Sequence, residues 1–433
     1  MNFFQQASDY LASLSFRGMK LGLANVRRLL ERLDNPHHAF DSIHVAGTNG
    51  KGSTCAMLAN ILTRAGVRCG MYVSPHLETF RERIQVNGEM IAPEQVGPLV
   101  DAVRRAAEGE KGLNPTYFEF MTAMAFLHFK NAGVNAAVLE VGLGGRFDAT
   151  NVVNPAVSVI TSIGMDHMVH LGDTIESIAS EKCGIIKPGR PVVAGMEQGA
   201  ALDVARRVAH LRKSALFALG EDFTAVRRGA MPWGERFDYS SPAGALTGLE
   251  VSLAGPRQVN NAAVVARVIE LLREQGYSIP DHSVREGLAA VFTPGRFERA
   301  RAKPLVILDG AHNPQSAEAL RDAAMERFGP KSLVIVFGAM MDKDYARMLE
   351  ILAPLARAFI CYTPPVERAA DPAELAAAQK DSAIPTTVAR TMDELLAALA
   401  AVPRDAVVLC TGSFYTIGAI RGALRSAPFH IGR

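Results

Sequence analysis

Cysteine is scarce in this chain: Cys55, Cys69, Cys183, Cys361 and Cys410 are spread over 433 residues, odd in number and without a CxxC pair. That excludes a disulfide framework and a cysteine-based zinc site, and leaves the thiols as small core residues. An excess of either charge is missing too. Lys and Arg number 46 against 44 Asp and Glu, and from Phe297 onward the counts are 16 and 15. So even a balance offers no electrostatic footprint for nucleic acid. No apolar run approaches the ~18–20 residues that span a bilayer, and the N-terminal MNFFQQASDYLAS lacks the basic flank of a signal peptide. The expectation is a cytoplasmic protein with no nucleic-acid or membrane partner. What the chain does have is core-forming material, with 48% hydrophobic and 21% charged residues. Intrinsic disorder is excluded, and at ~100–200 residues per domain two or three domains are expected.

Short β-branched runs alternate with helical patterns: IHVA (Ile43–Ala46), MYVS (Met71–Ser74), AAVLEVG (Ala136–Gly142) and AVSVITSIG (Ala156–Gly164). Between the first two, Met57, Leu58, Ile61 and Leu62 form one stripe and Gly66 stands where a helix stop belongs. This is the rhythm of a parallel α/β sheet. Residues 220–255 read as loop, because Pro232, Gly234, Pro242, Gly244 and Gly248 interrupt any long element. A helix over 258–275 follows, then the turn-rich FTPGRF (Phe292–Phe297), where the domain boundary is expected. Alternation then restarts with runs at 304–309, 333–338, 357–362, 384–389 and 406–412. The expected fold is α/β: a P-loop-type, mostly parallel sheet in 1–295, then a smaller Rossmann-like α/β domain in 296–433.

The strongest local signal is GTNGKGS (Gly47–Ser53), directly after a strand and before a helix. Glycines let the backbone N–H groups and the helix start face a phosphate, and Lys51 adds positive charge. The spacing departs from GxxxxGK[ST], since Val45 replaces the first glycine and Gly52 separates Lys51 from Ser53. Ser74, Glu140, Asp166 and His167 fall at the C-terminal ends of expected strands, the edge where open parallel sheets bind ligands. Oxygen donors beside a phosphate suggest Mg²⁺, and His167 offers a neutral nitrogen to a second ion. Each has a plainer account singly, but a carboxylate inside the apolar run at Glu140 is costly to bury unless paired or metal-bound. In DTIESIASEKCG, Asp173 and Glu176 read as a capping box, Gly184 as the stop, and Lys182 continues the stripe of Ile175 and Ile178. It is either a snorkelling residue or a buried amine of shifted pKa. Thr116 and Glu119 also fit a capping box. Gly142, Gly144 and Gly145 lack the third glycine of a dinucleotide fingerprint, which is Phe147 here, so NAD is discounted.

Together with SPHL and FRERI (Ser74–Ile84), TxFE (Thr116–Glu119), LEVGLGGRFDATN (Leu139–Asn151), GMDH (Gly164–His167), EKCGI (Glu181–Ile185), NNAA (Asn260–Ala263), PGRFE (Pro294–Glu298), LDGAHNP (Leu308–Pro314) and TGSFY (Thr411–Tyr415), these residues resemble the folylpolyglutamate synthase family of the Mur ligase superfamily. The resemblance covers essentially the whole chain. It implies an ATP-dependent ligase that joins L-glutamate to a folate carboxylate through an acyl phosphate, bifunctional on dihydropteroate and tetrahydrofolate, with folylpolyglutamate synthesis alone as the alternative. It places ATP on Gly47, Thr48, Asn49, Gly50, Lys51, Gly52, Ser53, Asn261, Arg296, Asp309 and His312, with Asn260 an alternative to Asn261. Ser74 and Glu140 would hold one Mg²⁺ and His167 a second, positioned by a carbamylated Lys182. Lys51, Lys182 and His167 are thus the expected catalytic groups. The pterin-type substrate would lie by Arg83, Phe118, Glu119, Phe147, Asp148 and Ala149. The family is usually monomeric. With 46 residues ahead of the phosphate loop, the extra N-terminal domain of the cell-wall Mur ligases is not expected. An ordinary P-loop kinase or GTPase and a non-enzymatic nucleotide-binding module are the competing classes; no NKxD guanine-reading motif is present.

Overall fold

The computed structural model describes residues 3–14, 18, 22–196, 198–381 and 383–426. Its first sheet contains β1 (Asp41–Ala46), β2 (Cys69–Tyr72), β3 (Ile84–Val86), β4 (Glu89–Met90), β5 (Ala136–Glu140), β6 (Val157–Ile160), β7 (Val192–Ala194) and β8 (Leu216–Ala218). The order is β4-β3-β2-β5-β1-β6-β7-β8. Pairing is parallel from β2 to β8, and β3 and β4 join antiparallel at one edge. Helices cover both faces, so successive strand residues enter different cores. Ala136 and Val138 of β5 pack with Leu58, Ile61 and Val264, whereas Ala137 and Leu139 pack with Phe120 and Phe126.

Residues 220–255 are not a loop. They hold β9 (Thr224–Met231), β10 (Gly234–Ser241) and β11 (Gly244–Val251), an antiparallel meander. The Pro and Gly residues that suggested a loop fall mainly at its turns, Pro232-Trp233 and Pro242-Ala243, while Phe237, Tyr239, Leu249 and Val251 are buried against the first-sheet core. Period-2 burial was hidden behind turn-forming residues.

The second sheet contains β12 (Glu298–Ala302), β13 (Leu305–Leu308), β14 (Leu333–Phe337), β15 (Ala356–Tyr362), β16 (Thr386–Ala389) and β17 (Val407–Thr411), in the order β12-β13-β17-β14-β15-β16. It is parallel except for the edge strand β12, which the sequence pattern missed because ERARA carries no apolar alternation. All five cysteines are free and buried.

One helix start also differs from expectation. Helix Ile175–Lys182 is capped by Thr174 and Ser177, not by Asp173 and Glu176, and a 3₁₀ turn at Cys183–Ile185 follows it. The cap shifts by one residue because the Thr174 hydroxyl accepts from the Ser177 amide at 3.1 Å. Ile178, Ala179 and Lys182 are the buried face, as the stripe required.

Candidate active site

The phosphate loop is built by exclusion of side chains. At Gly47 (φ +155°) a Cβ would lie 1.8 Å from Thr161 Oγ1, and at Gly50 (φ +88°) it would lie 2.7 Å from Asn261 Oδ1. Only glycine fits either place. Helix Lys51–Arg64 then begins without a side-chain cap, so its first N–H groups remain for an anion. Neighbouring strands hold the loop from outside. Thr48 donates to the Gly164 carbonyl at 3.0 Å, and Thr161 and Ser162 hydroxyls donate to the Asn49 carbonyl at 2.8 and 3.1 Å. Lys51 Nζ donates to the Gly47 and Thr48 carbonyls, and Ser53 is buried within reach of Gln258. Asn261, rather than Asn260, is the residue whose side chain abuts Gly50.

Lys182 lies beneath this loop, 5% exposed, with Nζ donating to the Gly47 carbonyl at 2.9 Å. Burial, and then the nearby Lys51 charge, push its pKa down to about 7. Glu140 ends β5 with 4% exposure. Burial raises its pKa against the pull of Lys51, and one oxygen accepts from the Ser74 amide at 3.0 Å. A Cβ on Gly52 would sit 3.7 Å from Glu140 Oε2, so the carboxylate faces the loop.

Asp166 and His167 separate in role. His167 (φ +51°) is half-exposed, and burial of its ring holds its pKa at about 4, leaving it neutral. Asp166 instead reaches across to the second sheet. Its oxygens meet Lys343 Nζ at 2.9 Å, Asn313 Nδ2 at 3.1 Å and His312 Nε2 at 3.7 Å. Burial opposes ionisation, but the nearby His312 and His167 rings and the hydrogen bond from Lys343 prevail and hold the carboxyl well below its usual range. Asn49 adds a second crossing contact, donating to Gln315 at 2.9 Å.

From the second-sheet side, Arg296 stacks over Phe414 with 4.8 Å to the ring centroid. Asp309 accepts from the Phe297 and Ala311 amides at 2.9 Å each, and burial raises its pKa although Arg296 lowers it. His312 and Phe414 face each other at 5.7 Å.

The loop from Gly47 to Gly52, Ser74, Glu140, Asp166, His167, Lys182, Arg296, His312 and Phe414 line one cleft of about 960 Å³ between the two sheets, which also takes in Arg83, Phe118, Glu119, Phe147, Asp148 and Ala149. Asn261, Ser53 and Asp309 stand behind its lining. Glu119 does cap its helix: Oε2 accepts from the Thr116 amide and hydroxyl at 2.8 and 2.9 Å. Its buried Oε1 has no partner. Both Asp148 oxygens are engaged by the chain, at the Gly142 and Leu143 amides on one side and Thr150 on the other, and Arg83 donates to His76 while lying over Tyr117. Lys343, Arg368 and Gln315 escaped the sequence reading. Lys343 lies past the C-terminal end of a parallel strand, where ligands collect, but MMDKD has no distinguishing pattern.

Among the described residues no cluster of three or more His, Cys, Asp or Glu side chains could hold a metal. Ser74 and Glu140 supply one hydroxyl and one carboxylate beside the phosphate loop. That set fits Mg²⁺ carried by a nucleotide, which takes its other ligands from phosphate and water.

Comparison with known proteins agrees with this arrangement. The Mur ligase middle domain matches residues 45–269, and the Mur ligase glutamate ligase domain matches 295–414. The dihydrofolate synthase/folylpolyglutamate synthase of Bacillus subtilis is 37% identical over 98% of this chain and 99% of its own length. The Escherichia coli protein of the same name is 35% identical, with 94% and 92% covered. The folylpolyglutamate synthase of Mycobacterium tuberculosis, complexed with ADP, superposes with a TM-score of 0.90 at 31% identity, covering 98% of this chain and 99% of that one. On sequence, fold and domain order, the chain belongs to the folylpolyglutamate synthase/dihydrofolate synthase family of the Mur ligase superfamily.

Proposed function

We propose that this chain uses ATP to join L-glutamate to the carboxylate of a folate, acting on both dihydropteroate and tetrahydrofolate. One observation carries the reading: the uncapped phosphate loop, with Lys182 beneath it, faces Arg296, His312 and Phe414 across a single cleft. Support comes from relatives whose structures hold ADP in one case and Mn, AMPPNP and L-glutamate in another.

In this reading residues 1–295 bind ATP and the folate, and residues 296–433 complete the nucleotide site and present glutamate. The loop amides of Gly47–Ser53 and Lys51 hold the phosphates, while Asn261, Arg296, Asp309 and His312 hold the rest of the nucleotide. The folate carboxylate attacks the γ-phosphorus, ADP leaves, and the glutamate amine displaces phosphate from the acyl phosphate. Lys51 meets charge that develops in transfer, and the cleft walls fix the reacting groups. Arg83, Phe118, Glu119, Phe147, Asp148 and Ala149 are assigned to the folate. For Asp148 the assignment is to the shape of the loop, because its oxygens are already bonded.

Mg²⁺ at Ser74 and Glu140, and a second ion at His167, would supply charge neutralisation. The neutral fraction of Lys182 can attack CO₂, forming an N–C bond and releasing a proton, and the resulting carbamate would orient the second ion. We further assign the enzyme as a cytoplasmic monomer.

The test is a paired assay with dihydropteroate or tetrahydrofolate, each with ATP and glutamate, followed by product mass. ADP release should require both the pterin substrate and glutamate, and each product should gain glutamyl mass. ATP turnover indifferent to glutamate would sink the reading.

A further inference from the structure

The loop Ser74–Arg83 meets the cleft only at its ends. Ser74, Pro75 and Arg83 line the cavity, whereas the intervening residues run toward the second sheet. The loop is internally braced: the Glu82 carboxylate accepts from the amides of Leu77, Glu78 and Thr79 at 2.8, 2.9 and 3.0 Å. These bonds tie residues 77–82 to one another, and a satisfied polar network of this kind rigidifies the segment that makes it.

Helix Phe414–Ser426 grips the far side of that segment. A Cβ on Gly418 would lie 2.4 Å from the Leu77 carbonyl, so the two backbones touch, and Leu77 packs beside Gly295 and Ile417. One turn further on, the buried Arg421 bonds Glu78 and also both oxygens of Glu298, at 2.9 and 3.1 Å. Arg425 adds a contact to Glu78 at 3.1 Å. Glu298 in turn accepts from the Gly295 amide at 2.8 Å, next to Arg296. A single guanidinium therefore joins the loop that ends in Ser74 to the linker that carries Arg296, while the first residues of its helix, Phe414 and Tyr415, line the cleft themselves.

We propose that the Glu78–Arg421 contact sets the Ser74–Arg83 loop according to the docking of the second domain. Glu78 is thus a positioning residue for the cation-binding wall of the cleft. The proposal rests on the assignment of Ser74 to the nucleotide's cation. It makes cation binding contingent on domain docking, so that phosphate is activated only in the docked arrangement that also brings Arg296 and His312 to the nucleotide.

Glu78→Gln is the informative variant, because the Arg421–Glu298 pair inside the second domain stays intact, whereas Arg421→Ala would strand a buried carboxylate. The experiment uses the full chain with ADP and Mn²⁺, reading free Mn²⁺ by its spin resonance. Glu78→Gln should weaken Mn²⁺ binding about five- to tenfold, within the range of ordinary coupling between sites. In a Ser74→Ala background the same change should add nothing, since the group it positions is already gone. Equal Mn²⁺ affinity in Glu78→Gln and wild type overturns the proposal, as does an equal loss in both backgrounds. Hydrogen exchange at the Leu77, Glu78 and Thr79 amides gives a second readout: faster exchange in Glu78→Gln is expected, and unchanged exchange rejects the linkage. The folate reading fails separately, if the wild type binds Mn²⁺ with ADP yet ligates no glutamate. If Ser74→Ala binds Mn²⁺ as wild type does, the cation assignment and the linkage fall together.

Discussion

Lys182 Nζ donates to the carbonyl of Gly47 at 2.9 Å across 135 residues of sequence. The contact places a nearly dehydrated amine under the phosphate loop. Its pKa of about 7, against 10.5 ordinarily, has a definite sign for stability. Between those two values the unfolded chain holds a proton that the folded chain does not, so stability rises with pH. Below pH 7 both forms are protonated and the penalty is complete. In Lys182→Met the penalty is absent, so its stability advantage over wild type should shrink by about 3–5 kcal/mol from pH 7 to pH 10.5, measured by urea unfolding. Lys182→Ala should lose most ligase activity, and acetate should restore part of it if a carbamate is the working form. No recovery would argue for the plain amine.

Burial works against the charged form of Glu140 and raises its pKa, opposed by Lys51 and by the hydrogen bond from the Ser74 amide. Glu140→Gln should therefore raise the melting temperature, by about 1 °C per kcal/mol relieved in a chain of 433 residues. The Mg²⁺ concentration for half-maximal activity should rise roughly 10–100-fold. A variant that melts lower with an unchanged Mg²⁺ requirement would show that Glu140 serves only the fold.

Asp166 and Lys343 form a mostly buried pair between the two sheets, 177 residues apart. Lys343→Met and Asp166→Asn should each lower kcat/KM about tenfold. The double variant should fall short of the product of the singles, because both remove one contact. Strictly multiplicative losses would separate the two residues into independent tasks.

Glu235 provides a control away from the cleft. It is fully buried and paired with Arg227 and Arg327, at 2.7 and 2.8 Å. Glu235→Ala should cost about 3–5 kcal/mol of stability by removing the buried carboxylate that lies between Arg227 and Arg327. KM values measured well below the melting range should be unchanged, and a selective rise in one of them would make the meander part of the site.

The sequence showed its chemistry wherever local pattern and burial coincide. Glu140 stood out as a carboxylate in an apolar run, Lys182 as a charge on an apolar stripe, and the phosphate loop as glycines between a strand and a helix. Those three lie at the centre of the cleft. Lys343, Gln315 and Arg368 gave no such signal, since each acquires meaning only when a second domain is laid over the first. The meander was misread for a related reason. Its Phe237 and Leu249 pair across strands, and prolines and glycines at the turns masked the alternation. The Thr174 cap was missed because Asp173 offered an equally good oxygen one residue earlier, and spacing does not choose between them.

The meander also changes what counts as a separable part. Arg327, from the helix Pro314–Phe328, donates to the Met231 and Gly234 carbonyls as well as to Glu235, and Phe297 stacks on Phe328 with Trp233 nearby. Cutting the chain at Gly295 for separate expression would strip Glu235 of Arg327 and leave that guanidinium facing solvent without its carbonyls. Neither fragment would inherit a finished surface. The first 295 residues alone would keep Glu235 paired with Arg227, and Trp233, stripped of Phe297, would need replacing by a polar residue.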